Sequence, residues 1–242
     1  MSCKNQLMSF FIAILTVCFL TGCADLSNNQ GGGYQVTDVE GTVITIAHKP
    51  QRILTVSAGT DELMLGLVEP ERMAAINESL ADREHTNIPW VCDRIPTVIP
   101  RSPSAEQIAA LHPDLVVVTP WMPRENIDAI RELNVPVLVC KSAATIEDIH
   151  DNIRLYAAAV GEVERGEKLV GMMEEKLAEI RAKVAEVPEE KKHRSIALIS
   201  IMVNYGGAGC TFDELCRCTD SINAKAAAGN RMGQEMTKEQ LV

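Results

Sequence analysis

The sequence has few basic residues for its length. Its 23 lysines and arginines are outnumbered by 33 aspartates and glutamates, and the net charge is −10. No stretch of the chain gathers lysine and arginine into a stripe that could neutralise phosphates. Because nucleic-acid binding depends on that neutralisation, we expect no nucleic-acid partner.

Catalytic and metal-binding patterns are also missing. Neither Ser57 nor Ser200 lies in a Gly-x-Ser-x-Gly turn, and no nucleophile–base pair stands out, so we predict no enzymatic activity. No two histidines have the His-x-x-x-His spacing of a helical zinc site, so we predict no metal site and no cofactor. The histidines are scattered at His48, His85, His112, His150 and His193.

The cysteines do not suggest a disulfide framework. Of the eight, Cys3 and Cys18 lie in the first 22 residues and Cys23 follows them, which leaves an odd number in the rest of the chain. Three of these lie close together in sequence and could bind a soft metal, although three thiols are also typical of small side chains on a helix. The remaining cysteines are Cys92, Cys140, Cys210, Cys216 and Cys218.

The amino end has the pattern of an export signal. Residues 7–20 are almost entirely apolar, too short a run to span a bilayer but suited to a signal peptide. The Leu20-Thr21-Gly22-Cys23 sequence that follows resembles a bacterial lipobox. We predict a signal peptide at 1–22, an acylated lipid of the palmitate class on Cys23, and a location on the extracytoplasmic face of the cell membrane. An uncleaved transmembrane anchor is the alternative. The polar, glycine-rich residues 23–35 are predicted to be a flexible tether.

Beyond the tether, strand patterns alternate with helix patterns. This alternation predicts parallel strands in an α/β fold, with a first lobe over residues 36–160. A turn at 57–60 is predicted to cap a helix from Asp61, and Ser104 to cap the next helix. The proline-rich stretch 77–103 is predicted to be a loop. The clearest strand patterns are Ile53–Val56, Leu115–Val118 and Val135–Val139.

A long amphipathic helix is predicted over residues 161–188. Gly161 ends a helix capped by Thr145, and apolar residues at spacings of three and four then continue to Pro188. The helical pattern within this segment covers about 25 residues, or roughly 38 Å at ~1.5 Å per residue. A helix that is polar on most sides suits a rigid connection between two bodies. A strand at Ile196–Ile201 then begins a second α/β lobe, residues 189–242.

The end of the chain repeats a motif of the first lobe. Ser104-Ala105-Glu106-Gln107-Ile108 and Thr237-Lys238-Glu239-Gln240-Leu241 share a pattern of cap, any residue, Glu, Gln and an aliphatic residue, with an ordinary capping pattern as the alternative. In the first lobe a Pro-Asp turn and a strand follow the motif, whereas here the sequence ends. We therefore expect the second lobe to be incomplete and the chain to be truncated at its carboxyl end.

Several of these segments resemble the substrate-binding lipoproteins of ABC importers for iron–siderophore, haem and cobalamin. The resemblance covers about residues 36–242 and departs from the family at Asp61 and Val68, where the family usually has threonine and glycine. It implies two Rossmann-like lobes joined by a rigid backbone helix, with ligand held in the cleft between them. The segments that carry it are 50–63, 106–118, 133–137 and the long helix.

The resemblance implies that the chain captures an iron complex of the siderophore type and delivers it to a membrane permease. Cobalamin or haem binding on the same scaffold and a non-functional truncated fragment are the alternatives, and a lipid-anchored enzyme would lack a catalytic constellation. The resemblance also implies that Glu106 and Glu239 dock with arginines of the two permease subunits. Stabilisation of a helix dipole is the other reading of these glutamates.

The predicted ligand residues lie in loops that follow strands, where α/β folds bind their ligands. Tryptophans there could stack on a flat ligand, and arginines could meet anionic groups. Loop packing and solvated charge are the alternatives. The predicted set is Ser57, Trp90, Arg94, Arg101, Trp121, Arg124 and Tyr205.

Overall fold

The computed structural model describes residues 32–84, 86–199 and 205–241, and the chain from Gly33 onward forms one compact unit. Its fold is of the α/β class, as predicted. The described strands are short, and most of them pair in parallel. They are β1 Tyr34–Thr37, β2 Val43–Ile46, β3 Ile53–Thr55, β4 Ile76–Asn77, β5 Val98–Ile99, β6 Leu115–Val118, β7 Val137–Val139, β8 Ser195–Ile196 and β9 Ile222–Asn223.

Polar side chains begin three of the main helices, as the sequence predicted. The side-chain oxygens of Ser57, Ser104 and Thr145 each accept a hydrogen bond from the backbone N–H three residues on. The helices are α1 Ala58–Leu67, α2 Glu78–Ala81, α3 Val91–Arg94, α4 Ala105–Ala109, α5 Arg124–Arg131, α6 Ile146–Val160, α7 Val163–Ala185, α8 Thr211–Cys218 and α9 Ala224–Ala227, with 3-10 turns at Pro70–Arg72, Glu189–Lys191 and Lys238–Leu241.

A three-stranded parallel sheet in the order β3-β6-β7 lies at the centre of the core. Leu115 and Val117 of β6 face one hydrophobic cluster, and Val116 and Val118 face the other. The first cluster includes side chains of α1, α6 and α7, and the second includes side chains of α4 and α5. Helices therefore cover both faces of the sheet, which explains why its strands read as continuous apolar runs.

Two expectations for the first half of the chain need correction. Helix α1 begins at Ala58 rather than Asp61, because Ser57 and Thr60 form a capping box that extends the helix by almost a turn. The 77–103 stretch is not all loop. It contains α2, α3 and the two-residue strand β5, which pairs in parallel with β4.

The long helix α7 has 23 residues, or about 34 Å at ~1.5 Å per residue. Gly161, with a φ of 69°, separates it from α6. Its buried residues are Gly166 and Val170, so most of its surface is exposed. A Cβ on Gly166 would lie 2.5 Å from the Cβ of Ala157, so the glycine permits the close crossing of α6 and α7.

The carboxyl-terminal segment begins a separate small sheet. Strand β8 pairs in parallel with β9, and α8 lies between them in the chain. The strand predicted at Ile196–Ile201 is wrong in its length, because β8 starts one residue earlier and ends at Ile196, and residues 197–199 are not in a strand. Residues 200 and 201 lie outside the described residues. The domain limits 36–160, 161–188 and 189–242 stay predictions.

Candidate functional site

A cavity of about 400 Å³ opens at the carboxyl end of the central sheet, facing residues 205–232. The loops after β3, β6 and β7 form one side of it. Strand ends converge there because parallel strands all point the same way. The hydroxyl of Thr211 donates a hydrogen bond of 3.2 Å to the carbonyl of Ala143, which joins the two sides.

Aromatic and hydroxyl side chains dominate the lining. Trp121 and Tyr156 contribute from one side, and Tyr205 and Phe212 from the other. Lys225, which is buried, donates from Nζ to the Tyr205 carbonyl at 2.6 Å and so holds that loop in place. Apolar walls with a few uncharged polar groups are typical of small-molecule sites. The lining hydroxyl residues are Ser57, Thr60, Thr119, Ser142 and Thr211.

Two buried groups at the base of the cavity stay protonated at neutral pH. Burial raises the pKa of the Tyr156 phenol well above its usual range. Burial also raises the pKa of the Cys140 thiol, although its hydrogen bond with Tyr156 acts in the opposite direction. Both groups are therefore neutral hydrogen-bonding groups rather than anions.

Asn152 fixes the loop after β7. Its Oδ1 accepts from the Lys141 N–H at 2.9 Å, and its Nδ2 donates to the Lys141 carbonyl at 2.9 Å. The Lys141 ammonium lies 2.6 Å from Asp148 and 3.2 Å from Asp151. The hydrogen bonds that the ammonium donates to these carboxylates raise the pKa of Lys141, and the contact with Lys141 holds the pKa of Asp148 well below its usual range. Lys141, the one charged residue in the described part of the lining, is thus already neutralised.

Part of the predicted ligand set lies together. Ser57, Trp121 and Tyr205 line the cavity. Arg101 lies beside it, where it shares a smaller cavity of about 190 Å³ with Ser57 and Trp121. Its guanidinium Nε is 3.4 Å from Glu78. The ligand roles of these residues stay predictions.

The other predicted ligand residues lie away from both of these cavities. Trp90 precedes α3 and is exposed. Arg94 forms an ion pair with Glu71. Arg124 donates from Nη1 to both carboxylate oxygens of Glu40, at 2.7 and 2.8 Å. These carboxylates already occupy the guanidinium groups that were expected to meet ligand anions.

Sequence reasoning missed Cys140, Asn152 and Tyr156. The rule that loops after strands line the site predicts Ser57, Trp121 and Tyr205, but the predicted set does not include the loop after β7. Applied there, it would have included residues 140–143. Tyr156 and Asn152 carried no such signal, because their positions on α6 fit an ordinary buried helix face.

Asp61 is a buried carboxyl next to this site, one residue after the lining residue Thr60. Its Oδ2 accepts from the Asn77 N–H at 2.7 Å, and its Oδ1 accepts from the Thr55 hydroxyl. Burial raises the pKa of Asp61 to about 7, although both hydrogen bonds act to lower it. The Asp61 carboxyl therefore links α1 to β3 and β4. Because burial disfavours its ionised form, the free energy of unfolding depends on pH.

Glu106 and Glu239 occupy equivalent local structures. The Ser104 N–H donates to Gln107 Oε1 at 2.9 Å, and the Thr237 N–H donates to Gln240 Oε1 at 2.9 Å. Both glutamates are exposed. A hydrogen bond from the Ser104 hydroxyl lowers the pKa of Glu106. The pKa of Glu239 is lowered first by a hydrogen bond from its own backbone N–H and then by one from the Thr237 side chain. Each motif thus presents a carboxylate to solvent, and the docking role stays a prediction.

The predicted lipid site, Cys23, lies outside the described residues. Over the part of the chain that is described, no helix combines the length and apolarity needed to cross a membrane. In the same part, no three side chains of His, Cys, Asp or Glu come together as a metal site. Cys210 and Cys216 are buried, and Cys218 is half-buried.

Comparison with known proteins places the chain in a family. The family model described as periplasmic binding protein matches residues 54–231. The putative ABC transporter substrate-binding lipoprotein YhfQ of Bacillus subtilis (strain 168) is 26% identical over 182 residues, which are 72% of this chain and 56% of YhfQ. The probable siderophore-binding lipoprotein YfiY of the same strain is 22% identical over 191 residues, which are 76% of this chain and 57% of YfiY. The chain thus spans just over half the length of these relatives.

Solved structures share the fold. The periplasmic heme-binding protein RhuT from Roseiflexus sp. RS-1 aligns with a TM-score of 0.67 and 23% identity, over 79% of this chain and 72% of RhuT. The molybdate periplasmic binding protein MolA of Haemophilus influenzae aligns with a TM-score of 0.72 and 17% identity, over 86% of this chain and 70% of MolA. At these identities the likeness shows the fold alone.

Proposed function

The chain belongs to the periplasmic binding protein family, and from that premise we propose that it is the substrate-binding component of an ABC importer. We propose further that it captures an iron complex of the siderophore type and delivers it to a membrane permease. The observation that carries this proposal is the cavity at the carboxyl end of the central sheet, with aromatic side chains on both of its sides. The naming of YfiY as a siderophore-binding lipoprotein supports iron chelates as the ligand class.

The cavity suits a ring-bearing ligand that is held by surface contact. Its walls carry Trp121, Tyr156, Tyr205 and Phe212, whose flat faces stack on planar groups. Trp121 has 68% of its surface exposed, so a large apolar area is available for a ligand to cover. Binding of this kind needs no chemical change in the ligand, which agrees with transport rather than catalysis.

Two further parts of the proposal concern the membrane. Lipid on Cys23 would hold the protein on the extracytoplasmic face, and Glu106 and Glu239 would contact the permease through charge-assisted hydrogen bonds. The anchor is tested by expressing the precursor with a labelled fatty acid. The proposal expects label in the membrane fraction that disappears in Cys23→Ala, and label that survives this substitution would contradict it.

The ligand is tested by calorimetric titration of the full chain with ferric siderophores, haem and cobalamin. We expect a ferric siderophore to bind, and Trp121→Ala to weaken its affinity about tenfold, or ~1.4 kcal/mol. Trp90→Ala is the matched control, since Trp90 is also exposed but does not line the cavity. Tight binding of haem or cobalamin without any ferric siderophore would replace the proposed ligand, and binding of none of them would contradict the proposal.

A further inference from the structure

The charged side chains around the cavity determine whether a neutral or an anionic iron chelate binds there more favourably. Among the described residues that line the cavity, Lys141 is the one with a charged side chain, and Asp148 and Asp151 already neutralise it. Arg101, in the adjoining smaller cavity, lies 3.4 Å from the carboxylate of Glu78. Arg94 and Arg124, which lie away from both cavities, are paired with Glu71 and Glu40. Lys225, behind Tyr205, donates to a backbone carbonyl and is not a lining residue. The described lining therefore offers no unpaired cation to a ligand.

An anionic ligand would enter this cavity at a high cost. Moving a charge out of water is unfavourable unless an opposite charge or several hydrogen-bond donors replace the water. The chain as a whole carries a net charge of −10, which adds repulsion at long range. A neutral ligand meets neither penalty, and the uncharged hydroxyls of Thr119 and Ser142 in the lining can bond to its polar atoms.

Resting on the proposed iron-chelate function, we infer that the cavity selects chelates without net charge over anionic chelates of the same metal. Three hydroxamate groups, each with a single negative charge, neutralise ferric iron. Three catecholate groups, each with two, leave the complex strongly anionic. The chemical class that fits the described lining is therefore the neutral ferric tris-hydroxamate rather than the ferric tris-catecholate.

The direct test is a titration of the full chain with one ferric tris-hydroxamate and one ferric tris-catecholate at equal ionic strength. We expect the neutral chelate to bind at least about tenfold more tightly. Equal binding, or tighter binding of the catecholate, would overturn this inference while leaving the iron-chelate function in place. Binding of neither chelate would overturn the proposed function and the inference with it.

A charge-introducing variant tests the cause of the preference. Met232 lines the cavity and is partly exposed, so Met232→Arg places a guanidinium there without disturbing the core. We expect this variant to bind the catecholate about tenfold more tightly than the natural protein does, because the new cation meets its charge. Met172→Arg is the matched control on the exposed surface of α7 and should leave both affinities unchanged. An unchanged preference in Met232→Arg, with the protein folded, would overturn the charge explanation.

Discussion

Replacing Asp61 by asparagine should stabilise the protein at neutral and alkaline pH. Burial raises the pKa of this carboxyl from 3.8 to about 7. Between these values the folded state holds a proton that the unfolded state has released, so the free energy of unfolding falls as pH rises through this window. Above about pH 7 both states are ionised, and the cost of the buried charge is then complete.

The size of the effect follows from the shift. Each pKa unit corresponds to about 1.4 kcal/mol, and the change between about pH 5 and pH 8 covers roughly two units, or about 2–3 kcal/mol. An asparagine side chain keeps the shape of aspartate. Its oxygen can accept from the Asn77 N–H and its amide can donate to the Thr55 hydroxyl oxygen, but it carries no charge to bury.

The assay is urea denaturation, followed by circular dichroism, of the natural protein and Asp61→Asn at about pH 5 and pH 8. The stability advantage of the variant should grow by about 2–3 kcal/mol between these two values of pH. Asp128→Asn, on the exposed surface of α5, should show no such growth. A constant difference between Asp61→Asn and the natural protein at both pH values would refute the assignment of a protonated buried carboxyl.

Three further changes test the packing and the docking surface. Gly166→Val should lower the free energy of unfolding by about 2 kcal/mol in thermal denaturation, because its side chain would collide with Ala157 across the helix crossing. Arg72→Met should lower it by a similar amount of about 2 kcal/mol, since the buried guanidinium donates to the Pro50 and Val160 carbonyls and to Glu162. Glu106→Lys should abolish stimulation of the transporter ATPase with ligand affinity and melting temperature nearly unchanged.

Matched controls separate each cause from a general effect of mutation. Gly171→Val adds the same side chain at a position on α7 with open space around it, and should cost less than Gly166→Val. Arg165→Met removes an exposed guanidinium that also bonds to a carbonyl and a glutamate. Glu125→Lys reverses a charge in the first turn of α5 and should leave transport intact. Equal effects of a variant and its control would contradict the corresponding prediction.

The parts of the fold that were predictable depend on local signals. Ser57, Ser104 and Thr145 cap helices through bonds to residues only three positions away, so their role can be read from neighbouring letters. The β6 strand is a continuous apolar run in which Leu115 is followed by three valines. By contrast, β4 and β5 are two-residue strands whose pairing joins segments more than twenty positions apart, and so short a strand has no periodicity to detect.

In the candidate site, too, some residues carried a local sequence signal and others did not. The rule that ligands bind at strand ends placed Ser57 and Trp121 at the cavity. No local pattern indicated that Arg94 and Arg124 are held by carboxylates distant in sequence, or that Asp61 is buried between two strands. These features depend on which segments meet in space, and only the structure shows that.

The fluorescence of Trp121 during titration with a ferric siderophore tests most directly whether the ligand binds in the cavity at the carboxyl end of the central sheet. The chain has two tryptophans, so Trp90→Phe leaves Trp121 as the single reporter at the cavity, and Trp121→Phe is the converse control. We expect saturable quenching in Trp90→Phe at the same ligand concentrations that produce binding heat, and little change in Trp121→Phe. Binding heat without any response from Trp121 would place the ligand elsewhere and contradict the proposed binding site.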